Sequence, residues 1–240
     1  MTKRIILGAV AIVLVIAAAY AAFFIAPQER TMGLIQRIFY FHAATAWAGE
    51  MTFFVCFLGN LLYVWKRQPK YDWLGVSSAE VGLACITVVL ITGPIWAHPV
   101  WGIWWTWDAR LTSTALLFVL YVGYLAVRRM PAAVDVRAKR SAVVGLVAII
   151  DVPIVHWAVD WWQGQHPQST ILHLHPKISG LMAFSLFLGF VAGLLSFAWL
   201  LMHRYRVAVM EDALEAQWLN LAIEDRQREG TVPTAGAAAR

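Results

Sequence analysis

The chain has 240 residues, of which 60% are hydrophobic and 14% are charged, and its mean hydropathy is +0.64. Soluble domains carry about a quarter charged residues, so this composition excludes an ordinary soluble domain and predicts an all-α integral membrane protein. The net charge of +5 is explained by basic connections between apolar segments, and it gives no reason to expect a nucleic-acid partner.

Six apolar segments are long enough to cross a hydrocarbon core of about 30 Å, which takes about 20 helical residues. In chain order, the six predicted transmembrane helices are residues 5–26, 43–65, 75–96, 111–128, 141–158 and 178–201. The first is longer than the apolar region of a signal peptide, so we expect an uncleaved anchor. After the sixth, residues 202–229 are predicted to form a cytoplasmic helix and residues 230–240 a disordered tail.

The distribution of Lys and Arg predicts the orientation of these helices. Basic residues concentrate before the first span, in the connections 66–74 and 129–140, and after the sixth span. Because cytoplasmic connections carry an excess of Lys and Arg, the N- and C-termini are both predicted to be cytoplasmic. The connections 27–42, 97–110 and 159–177 are then predicted to lie on the outer face of the membrane.

One outer connection is rich in tryptophan, with five of these residues within positions 96–107. If the segment were helical, four of its residues would share one face: Trp101, Trp104, Trp105 and Asp108. Trp96 and Trp107 would lie elsewhere on such a helix. An aromatic belt at the membrane interface explains one or two rings at a helix end, whereas five in one connection favour a surface for a flat, apolar cofactor such as haem.

Histidines and arginines accumulate on the same predicted side. Six of the seven histidines lie there or at its edge: His42, His98, His156, His166, His173 and His175. Neutral imidazole is an axial ligand of haem iron, and two histidines from different connections would hold haem from both sides. Haem propionates call for arginine donors, and the arginines on this side are Arg30, Arg37 and Arg110.

Two alternatives remain open for these polar residues. Zinc is one, because His173 and His175 lie near Asp160, although no cysteine pair or HxxxH spacing accompanies them. An ion pair with Asp108 is an alternative or additional role for Arg110.

Two acidic residues inside predicted spans need a function or a buried partner. Glu50 lies two turns after His42, and Asp151 precedes the Val152-Pro153 pair that is expected to kink the fifth span. Three roles are open for these carboxyl groups: orienting a ligand histidine, carrying protons, or remaining buried and neutral.

The segment Trp101–Ser113, which reads WGIWWTWDARLTS, resembles the WWD signature of the haem-handling proteins of cytochrome c maturation. With six spans and short outer connections, the chain looks most like the CcmC (haem exporter protein C) family, whereas CcmF-type and CcsA-type relatives have more spans. The resemblance covers most of residues 30–200. It implies a protein of the bacterial inner membrane that is not an enzyme, binds haem b, and presents it to a periplasmic haem chaperone of the CcmE type. It also implies membrane partners that include an ATPase complex.

The resemblance further implies the two axial ligands of the haem iron. The first corresponds to His42, and the second, after a Trp-Trp pair, corresponds to His166, with His173 and His175 as competitors for that role. We therefore predict haem against the tryptophans at the periplasmic edge, with its propionates on arginine. The predicted cofactor-binding residues are His42, His166, Trp101, Trp104, Trp105, Trp107, Asp108, Arg110 and Arg37.

Three other functions are open to a membrane protein of this composition. A b-type haem electron-transfer subunit would place paired histidines inside the bilayer, whereas the interiors of the predicted spans contain no histidine. A transmembrane solute transporter would have a midplane site with broken helices, for which only the proline near Asp151 is a hint. A structural scaffold within a larger complex is the third. The sequence contains no P-loop, so any ATP-dependent work is expected in a partner.

Overall fold

A computed structural model describes residues 2–162, 178 and 180–231 of the chain. These residues form seven α-helices and no strand: α1 Thr2–Tyr20, α2 Arg37–Lys66, α3 Pro69–Trp101, α4 Ala109–Arg129, α5 Val134–Ala148, α6 Asp151–Trp161 and α7 Gly180–Thr231. A π-helical turn, Ala21–Ile25, extends α1, and a 3₁₀ turn, Leu34–Gln36, leads into α2. The predicted all-α membrane class with six spans is confirmed, because six helical segments of the described residues are long and apolar enough to cross a membrane.

The fifth span consists of α5 and α6, which are separated by a turn at Ile149 and Ile150. Pro153 is the third residue of α6, where a backbone N–H has no partner within the helix and its absence costs little. The span is therefore interrupted three to four residues before Pro153, close to where a kink is expected from the sequence.

Two helices extend further than their apolar cores. Because α2 begins at Arg37 and α3 ends at Trp101, His42 and His98 lie within helices rather than in connections. Helix α3 ends where Gly102 adopts a φ of 76° and donates its N–H to the His98 carbonyl at 2.8 Å. The length of the apolar segment underestimates the length of such a helix, because helical turns at the membrane boundary tolerate polar side chains.

Helix α7 is a single helix of 52 residues, so the sixth predicted span and the helix predicted over 202–229 are continuous. Ion pairs connect this helix to others: Arg204 pairs with Glu80, and Glu215 lies 2.5 Å from Arg137. Residues 232–240 of the predicted tail lie outside the described residues.

The antiparallel helices α2 and α3 form the centre of the bundle, and α7 packs against both as well as against α1. Helix α4 contacts α3, α5 and α6. This arrangement brings the start of α2, the end of α3, the start of α4 and the end of α6 to one end of the bundle. Residues of those four helix ends line the candidate site.

Helices α2 and α3 approach most closely where Gly59 faces Gly75. A Cβ on Gly59 would lie 2.7 Å from the backbone nitrogen of Gly75 and 2.9 Å from its Cα. Backbone atoms cannot move aside as a side chain can. We expect Gly59→Ala to lower the free energy of unfolding by about 1–3 kcal/mol, which thermal unfolding in detergent would measure.

Gly123→Ala is the matched control for this substitution. Gly123 lies within α4, and a Cβ there would meet no atom within 4 Å. We expect it to be neutral or slightly stabilising, because alanine favours helix more than glycine does. Equal destabilisation by the two substitutions would contradict close α2–α3 packing.

Candidate functional site

A cavity of about 190 Å³ lies between α2, α3, α4 and α6 at the shared end of the bundle. Its walls are mainly apolar, with aromatic side chains from Phe39, Trp47, Phe53, Trp96 and Trp104. Four polar or charged side chains with acid–base chemistry also line it: His42, Glu50, Arg110 and His156. An apolar chamber with a few convergent polar groups is the usual form of a small-molecule or cofactor site.

His42 lies in the second turn of α2 and is half-buried at the cavity. Its Nδ1 is 2.9 Å from the hydroxyl of Thr92 on α3. The ring of Trp96, one turn after Thr92, is tilted against the imidazole with 6.1 Å between centroids. The imidazole is therefore held between a polar and an aromatic contact from the same neighbouring helix.

A cluster of charged and titratable side chains also lines the cavity. Arg110, at the start of α4, donates from Nη2 to the carbonyl oxygen of His156 at 3.0 Å. The imidazole Nδ1 of His156 lies 3.8 Å from a carboxylate oxygen of Glu50. The hydrogen bond to the His156 carbonyl therefore fixes the Arg110 guanidinium at the cavity. Glu50 is the acidic side chain that lines the same cavity.

The tryptophan-rich segment is not helical, so the prediction that four of its residues share one helical face is wrong. Gly102 ends α3, and residues 102–108 form an irregular connection. Trp101 is the last residue of α3, with its ring 5.6 Å from that of Trp96. The cavity wall contains Trp96, which sequence analysis placed elsewhere, and does not contain Trp101 or Trp105.

Trp104 is the tryptophan of the irregular connection that reaches the cavity. Its ring stacks on His98 with a centroid distance of 4.1 Å and an interplanar angle of 19°, and it is 58% exposed. Trp105 contacts the ring edge of Trp107 at 5.6 Å, and Trp107 is 80% exposed. The segment therefore presents one indole to the cavity and another to the surroundings.

Asp108 has a structural role that sequence analysis missed, because it is the N-cap of α4. Its carboxylate accepts the backbone N–H of Leu111 at 2.9 Å and the hydroxyl of Thr106 at 3.1 Å. This cap fixes the first turn of α4, which carries Arg110.

We expect Asp108→Ala to cost about 0.5–2 kcal/mol of stability, because an N-cap acceptor is lost. Asp108→Asn retains an acceptor for the Leu111 N–H and should remain close to the parent protein. Thermal unfolding of the haem-free protein measures both. Identical melting of the alanine and asparagine variants would contradict the capping role.

Other predicted residues lie apart from the cavity or outside the described residues. The guanidinium carbon of Arg37 lies 5.9 Å from the ring centroid of Phe23, and Arg37 does not line the cavity. Asp151 is buried, and its Oδ2 has no hydrogen-bond partner among the described residues. His166, His173 and His175 lie outside the described residues, so neither the second ligand nor the zinc alternative is placed. Within the described ranges, no three His, Cys, Asp or Glu side chains converge as a metal site.

Comparison with known proteins gives a consistent picture. The family model described as CcmC, heme exporter protein C, matches residues 2–220. "Heme exporter protein C" of Haemophilus influenzae is 31% identical over 196 residues, which are 81% of this chain and 79% of that protein. The protein of the same name from Escherichia coli K12 is 31% identical over 208 residues, or 85% of this chain and 82% of the relative. A "putative cytochrome c biosynthesis ccmC-like mitochondrial protein" of Marchantia polymorpha is 29% identical over 175 residues, covering 73% and 74% of the two chains.

Proposed function

The chain belongs to the haem exporter protein C family, and we propose that it holds haem at the periplasmic face of a bacterial inner membrane and delivers it to a haem chaperone. Family membership and the six apolar helices make it a multi-pass membrane protein that handles haem in cytochrome c biogenesis. The periplasmic site, the chaperone and the ligands are the proposed part.

The observation that carries the proposal is one cavity lined by His42, Trp104 and Arg110. Each supplies one interaction that haem requires: an imidazole for iron, an indole face for the porphyrin, and a guanidinium for a propionate. The indole of Trp104 is exposed, which supports haem held at the rim rather than in a sealed core. Cargo that must be released is best held in such a position.

His42 is proposed as one axial ligand and His166 as the other. His42 lines the cavity, whereas His166 is supported only by its place after the Trp161-Trp162 pair. The proposed cargo is haem b, which is held without a covalent bond. Ligation by imidazole needs no covalent attachment of haem to this chain. The proposed contact surface is Trp104 with Trp96, and Trp101, Trp105 and Trp107 are proposed to complete the surrounding aromatic rim.

Arg110 is the proposed propionate donor. Its guanidinium is fixed to the His156 carbonyl and keeps further N–H groups for a carboxylate, since guanidinium has five. Glu50 lines the same cavity and reduces the net positive charge there. Arg37 does not line this cavity, and its role as a second propionate donor stays a prediction from the sequence.

The orientation and the partners complete the proposal. The excess of Lys and Arg outside the proposed haem end supports cytoplasmic termini and a periplasmic cavity. The expected partners are haem, a CcmE-like chaperone, and membrane subunits that include an ATPase complex, with no nucleic acid. The chain itself is proposed to bind and present haem rather than to catalyse a reaction.

Transfer from reconstituted vesicles tests the proposal. Protein with haem bound is reconstituted in liposomes free of internal haem, and a soluble chaperone domain of the CcmE type is added outside. We expect haem to reach the chaperone from the protein population whose cavity faces outward. Transfer that requires haem inside the vesicle would instead show passage across the bilayer and would contradict simple presentation.

A further inference from the structure

We propose that Thr92 is a positioning residue that fixes the tautomer of His42 and thereby presents Nε2 to iron. This inference rests on the proposed function in one respect, namely that His42 binds haem. The observation behind it is a pair of hydrogen bonds that share one hydroxyl group.

The Thr92 hydroxyl has one hydrogen, and the backbone of its own helix takes it. Its Oγ1 lies 2.8 Å from the carbonyl oxygen of Val88, one turn earlier in α3. A carbonyl can only accept, so the hydroxyl donates in this contact. The Thr92 oxygen is then an acceptor towards the imidazole Nδ1 of His42 at 2.9 Å.

This direction assigns the proton of the neutral imidazole. With Nδ1–H donating to Thr92, Nε2 is the nitrogen that carries the lone pair. A lone pair is what coordinates iron, so the tautomer suited to ligation is selected before haem arrives. Donation from Nδ1 also raises the basicity of Nε2, which favours ferric over ferrous iron.

Two neighbours of Thr92 restrict the ring further. A Cβ built on Gly93 would lie 3.4 Å from Cε1 of His42, so the backbone of α3 passes close to the imidazole edge. Trp96 lies beside the ring on the same helix. The orientation is therefore set by three residues within about one turn of one helix, which suits a ligand that must be prepared in advance.

Three substitutions on α3 test this role. Thr92→Val keeps the shape of the side chain but removes the acceptor, and Thr92→Ser keeps the hydroxyl. Thr87→Val is the matched control, because the Thr87 hydroxyl bonds the Leu83 carbonyl at 2.7 Å but does not line the cavity. Each purified protein is titrated with haem, and the midpoint potential of the bound haem is measured.

We expect Thr92→Val to weaken haem binding by about 10-fold or more, because losing the outer partner of a metal-bound histidine has an effect of this size. The midpoint potential of the bound haem should rise, because Nε2 becomes less basic. Thr92→Ser and Thr87→Val should remain close to the parent protein in both quantities. Parental affinity and potential in Thr92→Val would overturn the inference, as would an equal effect of Thr87→Val.

A measurement on the haem-free protein separates this inference from the proposed function. The ¹⁵N resonances of the His42 ring, identified by their loss in His42→Ala, report which nitrogen carries the proton at a pH where the ring is neutral. We expect protonated Nδ1 and unprotonated Nε2 in the unmodified chain, and the reverse would overturn the inference. Undiminished haem binding by His42→Ala would instead overturn the ligand assignment. The tautomer result does not depend on that outcome.

Discussion

Replacing His42 by alanine is expected to weaken haem binding by at least about 100-fold, because losing a ligand exceeds the 10–100-fold cost of losing an outer partner. The change should be visible as loss of the Soret band from the protein purified with haem. The imidazole is half-buried at the cavity, and its removal leaves space of similar shape. Added free imidazole should therefore partly restore the spectrum of His42→Ala.

His203→Ala is the control for this experiment. That histidine lies in α7, with its ring 4.9 Å from that of Trp199, and does not line the cavity. We expect its haem spectrum and affinity to equal those of the parent protein. A normal spectrum in His42→Ala, or equal losses in the two variants, would contradict the role of His42.

Replacing Asp72 by asparagine is expected to lower the free energy of unfolding by about 3–5 kcal/mol, the usual cost of breaking a buried ion pair. The two carboxylate oxygens of Asp72 each accept from Arg128 at 2.6 Å, and Asp72 is only 4% exposed. The substitution leaves the Arg128 guanidinium with a neutral partner in a partly buried position. Thermal or denaturant unfolding in detergent measures the loss.

Asp135→Asn provides the comparison at an exposed pair. Asp135 and Lys139 lie one turn apart on α5, and Lys139 Nζ is 2.8 Å from Asp135 Oδ2. Both side chains are exposed. Such pairs contribute about 0.3–0.5 kcal/mol, so this variant should unfold almost as the parent does. If Asp72→Asn were equally mild, the buried pair would not stabilise the bundle as its geometry indicates.

The fold class followed from the sequence because the bilayer imposes both length and apolarity on every span. The exact ends did not follow in the same way. Helix α2 begins at Arg37 and α3 ends at Trp101, since boundary turns are less apolar than the centre of a span. Near Pro153, where a kink is expected, the fifth span is interrupted at Ile149 and Ile150.

The tryptophan segment shows how a local signal can be present and still be overlooked. Gly102 is a typical helix end, and Asp108 before an apolar run is a typical N-cap, so both indicate a break between α3 and α4. The prediction of one helical face gave more weight to residue spacing than to these signals. As a result it excluded Trp96, which lines the cavity, and included Trp101 and Trp105, which do not.

Other parts of the cavity carry no signal that a single sequence provides. Thr92 and His42 are 50 residues apart, and their contact depends on the rotation of α2 and α3 about their axes. The contact between Arg110 and the His156 carbonyl spans 46 residues and depends on the bend between α5 and α6. Residue type alone identifies His42 and Arg110 as candidate site residues. Helix packing decides which neighbours hold their side chains in position.

A structure of the protein with haem bound tests the proposed haem site most directly. We expect iron coordinated by Nε2 of His42, with the porphyrin beside Trp104 and a propionate on Arg110. Haem bound elsewhere, with His42 Nε2 away from the iron, would contradict it.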